Sequence, residues 1–380
     1  MLLPPAFACS EAVVAPRPTT LRSAAGKQNG PRVRVRPGGI KQRQERFAER
    51  LGIDVSTVQG WESGRRPLTA MNTGDFVRLC ARLPRLGAPP STGRHLRTAL
   101  DADLVLSTGI TAGGAWVGAD VHPLAASVHH KTLTNLITWP FTGQLPPELG
   151  VFTSKVVRRG PVAPGPVLAA GERTRFFDHL MAVAERAVQP SEALLRRQAV
   201  YLLSFDPRDE VIGWLRGEWE TAGRRRIVGG SVTELLEARS ASVALASAGD
   251  GRHIHDFVAR TANTPAELAN LNYWAHWIGE LGDEQTDDTF MFAEDTKPWS
   301  GARLFHHLVT RLDPSSPHLP LNLHTVHTLV SSRPGLLTTR QADRTALGTA
   351  LDALTSTDVL TPDGRAQAAG LHYALRIANR

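Results

Sequence analysis

The chain has 380 residues, of which 42% are hydrophobic and 21% are charged, a balance that predicts a folded protein of about two or three domains. No stretch approaches the run of about 18 apolar residues that crosses a bilayer, and the apolar start lacks a basic flank, so we expect a cytoplasmic protein without a membrane segment. Two cysteines, Cys9 and Cys80, exclude a disulfide framework and a cysteine-rich zinc site.

Positive charge is concentrated at the start of the chain. Residues 1–94 contain 16 basic and 6 acidic residues, whereas residues 95–380 contain 27 basic and 30 acidic residues. A basic segment joined to a nearly neutral body predicts an anionic partner, and nucleic acid is the leading candidate. The alternative is a basic surface that is merely solvated.

The first predicted element is an extended basic arm over residues 1–39. Its many prolines and glycines leave little helical periodicity, and arginines alternate with other residues at Arg32, Arg34 and Arg36. This composition is typical of disorder rather than of a packed element.

Residues 40–88 then carry a compact helical pattern. Apolar side chains at Phe47, Ala48 and Leu51 predict one buried face of a short helix. Gly52 follows, and glycine is the residue that adopts the left-handed backbone conformation of a tight turn without penalty.

A second helix is predicted over residues 55–63. Asp54 is placed to cap its N-terminus, and Val58 and Trp61 fall on its inward side. Two helices that meet steeply across a short turn require a small residue such as Ala48 on the first helix.

The stretch QERFAERLGIDVSTVQGWE resembles the helix-turn-helix motif of the Xre/Cro/phage-repressor family, in an actinobacterial type with a large helical C-terminal region. Recurring family residues are Q-E-x-[LF]-A-x-x-L-G, then a hydrophobic residue, then S-T-V-x-x-W-E-x-G. The match extends over about 45 residues and fits nearly every diagnostic position. It implies an all-α fold in which an N-terminal DNA-binding domain over residues 40–88 precedes a large α-helical body. An accidental helical hairpin is the alternative.

The resemblance also implies which residues contact DNA. In that family the second helix of the motif enters the major groove, and the matching positions here are Val55, Ser56, Thr57, Gln59 and Gly60. Gln59 suits a bidentate contact with adenine, Ser56 donates or accepts, Val55 packs on a thymine methyl, and Gly60 reads no base. Because this set is small, we expect DNA shape or the basic arm to add specificity.

Phosphate contacts are expected from Gln44, which matches an anchoring residue of the family, and from Arg65 and Arg66 after the second helix. The alternative for these three residues is a solvated helix end. The family has a further helix just before the motif, where residues 36–39 of this chain read Arg-Pro-Gly-Gly. We therefore expect that helix to be displaced to residues 20–28 or to be missing.

The body, residues 94–380, follows a linker over residues 87–93 and reads as a helical array or bundle for dimerisation or sensing. Leu195, Ala199 and Leu202 have the spacing of a buried helical stripe, and Thr264 with Pro265 marks a helix start. Two long loops are predicted, over residues 138–171 and 282–298.

No nucleotide-binding, zinc-protease or serine-hydrolase motif occurs in residues 91–380, so we expect no catalytic residues, no metal site and no cofactor. Histidines approach metal-ligand spacing without a supporting cysteine or carboxylate cluster, and surface or core histidines are the simpler reading. The histidine pairs are His253/His255, His306/His307 and His324/His327.

The aromatic residues at 273, 274 and 277 are expected to pack in a core rather than to form a ligand cage.

These observations together predict a sequence-specific, nucleoid-associated transcriptional regulator. Its expected partners are double-stranded DNA, a second copy of the chain and an unidentified small-molecule or protein effector. The alternative is a helical interaction or ligand-binding protein whose helix-turn-helix domain is degenerate. A third reading is an enzyme of unrecognised type fused to a DNA-binding module.

Overall fold

A computed structural model of the protein describes residues 40–63, 66, 68–152, 166, 168–224, 232–282, 285, 287–292 and 299–378. Within these ranges all regular structure is helical and no strand occurs, which confirms the all-α prediction. The predicted arm over residues 1–39 and the predicted displaced helix at residues 20–28 lie outside the described residues.

The chain divides into two compact units between Phe205 and Asp206. The helices of the first unit are α1 (Ile40–Leu51), α2 (Val55–Ser63), α3 (Thr73–Arg82), α4 (Thr92–Ala112), α5 (Lys131–Thr142), α6 (Ala170–Arg186) and α7 (Ala193–Leu203).

The second unit begins at Asp206 and contains the remaining helices. They are α8 (Asp209–Arg224), α9 (Val232–Ser247), α10 (Arg252–Thr261), α11 (Pro265–Ile278), α12 (Ala302–Val309), α13 (Leu319–Ser332), α14 (Leu336–Thr339), α15 (Gln341–Thr355) and α16 (Pro362–Ala378).

In the first unit, α4 and α7 pack against α6. The predicted stripe of α7 is confirmed, because Leu195, Ala199 and Leu202 are all fully buried. Burial of these apolar side chains is the main stabilising contribution of the helix. Helix α4 begins at Thr92, inside the segment that the sequence predicts as a linker.

The predicted loop over residues 138–171 begins later in the chain than expected. Helix α5 continues to Thr142 with Pro140 inside it, whereas the sequence predicts that the helix ends before Thr138. A proline removes only one helical hydrogen bond near a helix end, and the buried side chains of Ile137 and Trp139 hold this turn in the core.

In the second unit, one apolar cluster joins α11, α12, α13, α14, α15 and α16 and consists mainly of leucines. The predicted start of α11 is confirmed, since the Thr264 hydroxyl accepts a hydrogen bond of 3.2 Å from the Ala266 N–H and Pro265 is the first helical residue. None of the described helices combines the length with the apolar character needed to cross a bilayer.

Candidate nucleic-acid interface

The turn between α1 and α2 is built around Gly52, whose φ of 68° lies in the left-handed region. Its N–H donates to the Glu49 carbonyl at 3.0 Å, and the Ile53 N–H donates to the Ala48 carbonyl at 3.0 Å. Arg82 of α3 donates from Nη1 to the Leu51 carbonyl. This cation satisfies an acceptor at the C-terminus of α1 that the helix itself leaves open.

Helix α2 begins with the cap that the sequence predicts. The Asp54 carboxylate accepts a hydrogen bond of 2.7 Å from the Ser56 N–H, which satisfies a free donor of the first turn. Hydrogen bonds from Ser56, together with the nearby charge of Arg66, hold the pKa of the Asp54 carboxyl below its usual value. Asp54 therefore stays ionised at neutral pH.

One apolar cluster joins α1, α2 and α3 to the start of α4. Val58 lies inside this cluster and is only 1% exposed, as predicted, while Trp61 packs against the cluster and is half-buried. Because Leu96 of α4 belongs to the same cluster, the start of α4 is part of this small core. Its buried members are Phe47, Ala48, Leu51, Val58, Leu68, Phe76, Leu79, Leu83 and Leu96.

The side of α2 away from this cluster is polar. Ser56 is exposed, and Thr57 and Gln59 are half-buried. Gln59 Nε2 donates to Gln44 Oε1 at 3.5 Å, a distance at the long limit of a hydrogen bond. Because the amide of glutamine carries two N–H donors and a carbonyl oxygen, Gln59 retains free hydrogen-bonding capacity.

Gln44 lies one turn inside α1, which begins at Ile40. Only the first four N–H groups of a helix are free, so the backbone N–H of Gln44 is used within the helix. A phosphate contact of Gln44 would therefore use its side-chain amide and stays a prediction.

Arg66 folds back over α2. Its N–H donates to the Gly60 carbonyl at 3.1 Å, and its Nη1 donates to the Thr57 hydroxyl at 2.8 Å. A β-carbon placed at Gly60 would lie 3.0 Å from Arg66 Cγ and 3.1 Å from Cδ, closer than packed side chains normally approach. The missing side chain of Gly60 thus leaves the space through which the arginine crosses the helix.

Val55 and Arg65 complete the predicted set of DNA contacts. Val55 is half-buried and packs against the apolar cluster, so part of its side chain faces inward; its thymine contact stays a prediction. Arg65 lies outside the described residues.

Helical periodicity does not predict the position of the Arg66 side chain. The one feature of the sequence that points to it is Gly60, because glycine in a helix interior is unfavourable by about 1 kcal/mol relative to alanine.

Among the α1 side chains that the structure describes, exposed charge is balanced, since Glu45 and Glu49 alternate with Arg46 and Arg50. Positive charge on the polar side of α2 comes instead from the exposed Arg66. Residues 1–39 add six basic residues and one acidic residue, so much of the positive charge available to an anionic partner lies in the arm.

Two of the histidines that approach metal-ligand spacing, His306 and His324, have other partners. His324 Nε2 lies 3.2 Å from Glu267 Oε1, and its Nδ1 lies 3.2 Å from Gln367 Nε2. Burial, together with the neighbouring charge of His327, lowers the pKa of His324 to about 4. His306 Nδ1 lies 2.7 Å from Asp343. No group of three or more metal-ligating side chains occurs in the described ranges.

No protein-family model, curated protein or solved structure matches this chain. The α1–α2 helix pair and the charge distribution of the chain are the features that bear on its function.

Proposed function

We propose that residues 40–88 form a helix-turn-helix domain that binds double-stranded DNA, and that the protein regulates transcription from specific sites. The observation that carries this proposal is the two-sided construction of α2. Val58 is buried on one side, while Ser56 and the Arg66 guanidinium occupy the other. A short helix held by its apolar side, with hydrogen-bonding groups on its free side, is suited to the major groove.

In this proposal Gln59 reads adenine. One N–H of its amide contacts Gln44, and the second N–H with the carbonyl oxygen can pair with N7 and the N6 amino group of adenine. Gln44 thereby orients the amide, and preorganisation of this kind improves discrimination between bases.

Arg66 has a different role in this proposal from the phosphate contact that the sequence predicts. The Arg66 side chain passes beside Gly60, which has no side chain of its own, and so places its guanidinium on the side of α2 away from the apolar cluster. Only one of its five N–H donors is used by Thr57. Arginine that reaches the major groove forms its commonest specific contact with O6 and N7 of guanine. We therefore assign guanine recognition to Arg66.

The proposal is tested with the full chain. Selection from a random duplex library identifies the bound sequence, and fluorescence anisotropy over a salt series measures affinity. We expect a log–log salt slope of about −3 to −6 per bound subunit, because several phosphates are neutralised on binding. No selected sequence together with a flat salt response would refute DNA binding and favour the helical interaction protein.

Three variants separate base reading from phosphate contact. Gln59→Ala should remove about 1–3 kcal/mol of discrimination at one base pair without changing the salt slope. Gly60→Ala should displace Arg66 while keeping its charge, so guanine preference should fall and the salt slope should remain. If Arg66 contacts only phosphate, Arg66→Ala should weaken all sequences alike and reduce the slope by about one. Arg175→Ala, at an exposed position of α6, is the matched control.

A further inference from the structure

Arg239 of α9 is a buried cation in the second unit, with only 1% of its surface exposed. Its Nε donates to the Asn270 side-chain oxygen at 2.9 Å. Its Cζ lies 4.8 Å from the ring centre of Tyr273 and 5.2 Å from that of Trp274. These aromatic faces attract the cation, but they do not satisfy its N–H groups.

The outer edge of this guanidinium is formed by Nη1 and Nη2. Both atoms are buried, and neither has a hydrogen-bond partner among the residues that the structure describes. Burial lowers the pKa of Arg239 to about 9, so the group still carries its charge at neutral pH. A buried charge without a counter-ion strongly destabilises a fold, and removing such a charge is often neutral or stabilising.

A second buried ring lies directly before α13, at His318. Its Nε2 lies 3.4 Å from the Ser247 hydroxyl, while its buried Nδ1 has no hydrogen-bond partner within the described part of the chain. Burial and the neighbouring charge of Arg239 lower the pKa of His318 to about 4. His318 is therefore neutral at pH 7, and Arg239 is left as the charge to be balanced.

The guanidinium is held in a fixed orientation. Asn270 Nδ2 donates to the Thr325 hydroxyl at 3.3 Å, and that hydroxyl donates to the Leu321 carbonyl at 2.6 Å. This chain of bonds turns the Asn270 oxygen toward Arg239 Nε and leaves the Nη1–Nη2 edge directed elsewhere. Fixed geometry of this kind favours a ligand that matches it.

We propose that the second unit binds a small monocarboxylate on the Nη1–Nη2 edge of Arg239. A carboxylate accepts two parallel hydrogen bonds from such an edge, and its single charge neutralises the single buried cation. A phosphate dianion would leave a net negative charge in the core. Because Tyr273 and Trp274 flank the guanidinium, we expect the rest of the ligand to be apolar. This proposal does not depend on DNA binding.

The test uses the full chain after exhaustive dialysis, without DNA. Thermal unfolding and titration calorimetry are measured with sodium formate, acetate, propionate and benzoate, and with chloride and phosphate at equal ionic strength. We expect the melting temperature of wild type to rise saturably with a carboxylate, by about 5 °C or more at a hundredfold excess over Kd. Comparison of the responses to formate, acetate, propionate and benzoate identifies the carboxylate size that fits best.

Two variants and a control decide the assignment. Arg239→Met should abolish the carboxylate response and keep or raise the melting temperature without ligand, because it removes the unpaired charge. Asn270→Asp should raise that temperature and abolish the response, because it supplies an internal carboxylate beside Arg239. Arg252→Met, at a side chain that is 82% exposed, should respond like wild type. A wild-type chain that ignores all four carboxylates, a response to chloride or phosphate alone, or an unchanged response in Arg239→Met and Asn270→Asp would overturn the proposal.

Discussion

Replacing Gly52 by valine tests the turn on which the α1–α2 helix pair depends. The φ of Gly52 is 68°, and a β-branched residue at positive φ is strained. A β-carbon at this position would meet only Arg82 Nη1, at an ordinary contact distance of 3.8 Å. The penalty therefore comes from the backbone conformation and not from a steric clash.

Backbone strain of this kind lowers the free energy of unfolding by about 1–3 kcal/mol. A smaller opposing effect of about 0.4–1 kcal/mol arises because any side chain restricts the unfolded chain more than glycine does. Gly52→Val should therefore be the most destabilising variant, Gly52→Ala should be intermediate, and Gly52→Asn should be the mildest, since asparagine tolerates the left-handed region.

Gly118 provides the matched control, because it has no positive φ and a β-carbon there meets nothing within 4 Å. Gly118→Ala should be neutral or slightly stabilising. The assay is urea unfolding of the full chain combined with amide hydrogen exchange of peptides covering residues 44–60, which localises the loss of stability. Gly118→Val is the control with the same new side chain. If Gly52→Val and Gly118→Val have the same free energy of unfolding and the same amide hydrogen exchange rates, the turn does not have the described conformation in solution.

Two further predictions concern the core of the first unit. Leu83→Ala should lower the free energy of unfolding by about 2–5 kcal/mol, because Leu83 is 0% exposed and its loss leaves a cavity; Leu104→Ala, at a residue 53% exposed, should change it by less than about 0.5 kcal/mol in the same urea titration. His122 Nε2 lies 2.7 Å from His179 Nε2, and burial lowers the pKa of both rings, that of His122 to about 4. Because the unfolded chain binds protons below pH 6.5 that the folded chain excludes, stability should fall as the pH drops from 6.5 towards 4; equal urea midpoints at pH 7.5 and 4.5 would contradict this prediction.

Much of the α1–α2 helix pair was predictable because its determinants are local in the sequence. A cap such as Asp54 and a turn glycine such as Gly52 act on backbone groups within three residues. The periodicity that places Val58 inward is also a property of one helix alone. Predictions of this kind succeed because no distant residue is needed to satisfy the groups concerned.

Features that depend on distant residues were missed. The bond from Arg82 to the Leu51 carbonyl joins residues 31 apart, and no local pattern indicates it. Helix α5 continues past Pro140 because the surrounding core outweighs a local signal that favours a break. The sequence places Arg66 after the end of α2 and does not indicate that its side chain crosses Gly60, while its phosphate contact stays a prediction.

Arg66 and Arg239 are both arginines, but the difference in their solvent exposure leads to two different proposals. The exposed guanidinium of Arg66 is solvated and screened, so its charge contributes little to the free energy of folding. In the proposed complex with DNA it gains a further anionic partner, and we expect this gain to appear as salt-dependent affinity. The buried guanidinium of Arg239 is not solvated, so a missing counter-ion lowers the stability of the second unit at every salt concentration. A ligand of Arg239 is therefore expected to change the melting temperature of the free protein, whereas DNA recognition by Arg66 is expected to change base preference and leave the stability of the free protein nearly unaltered.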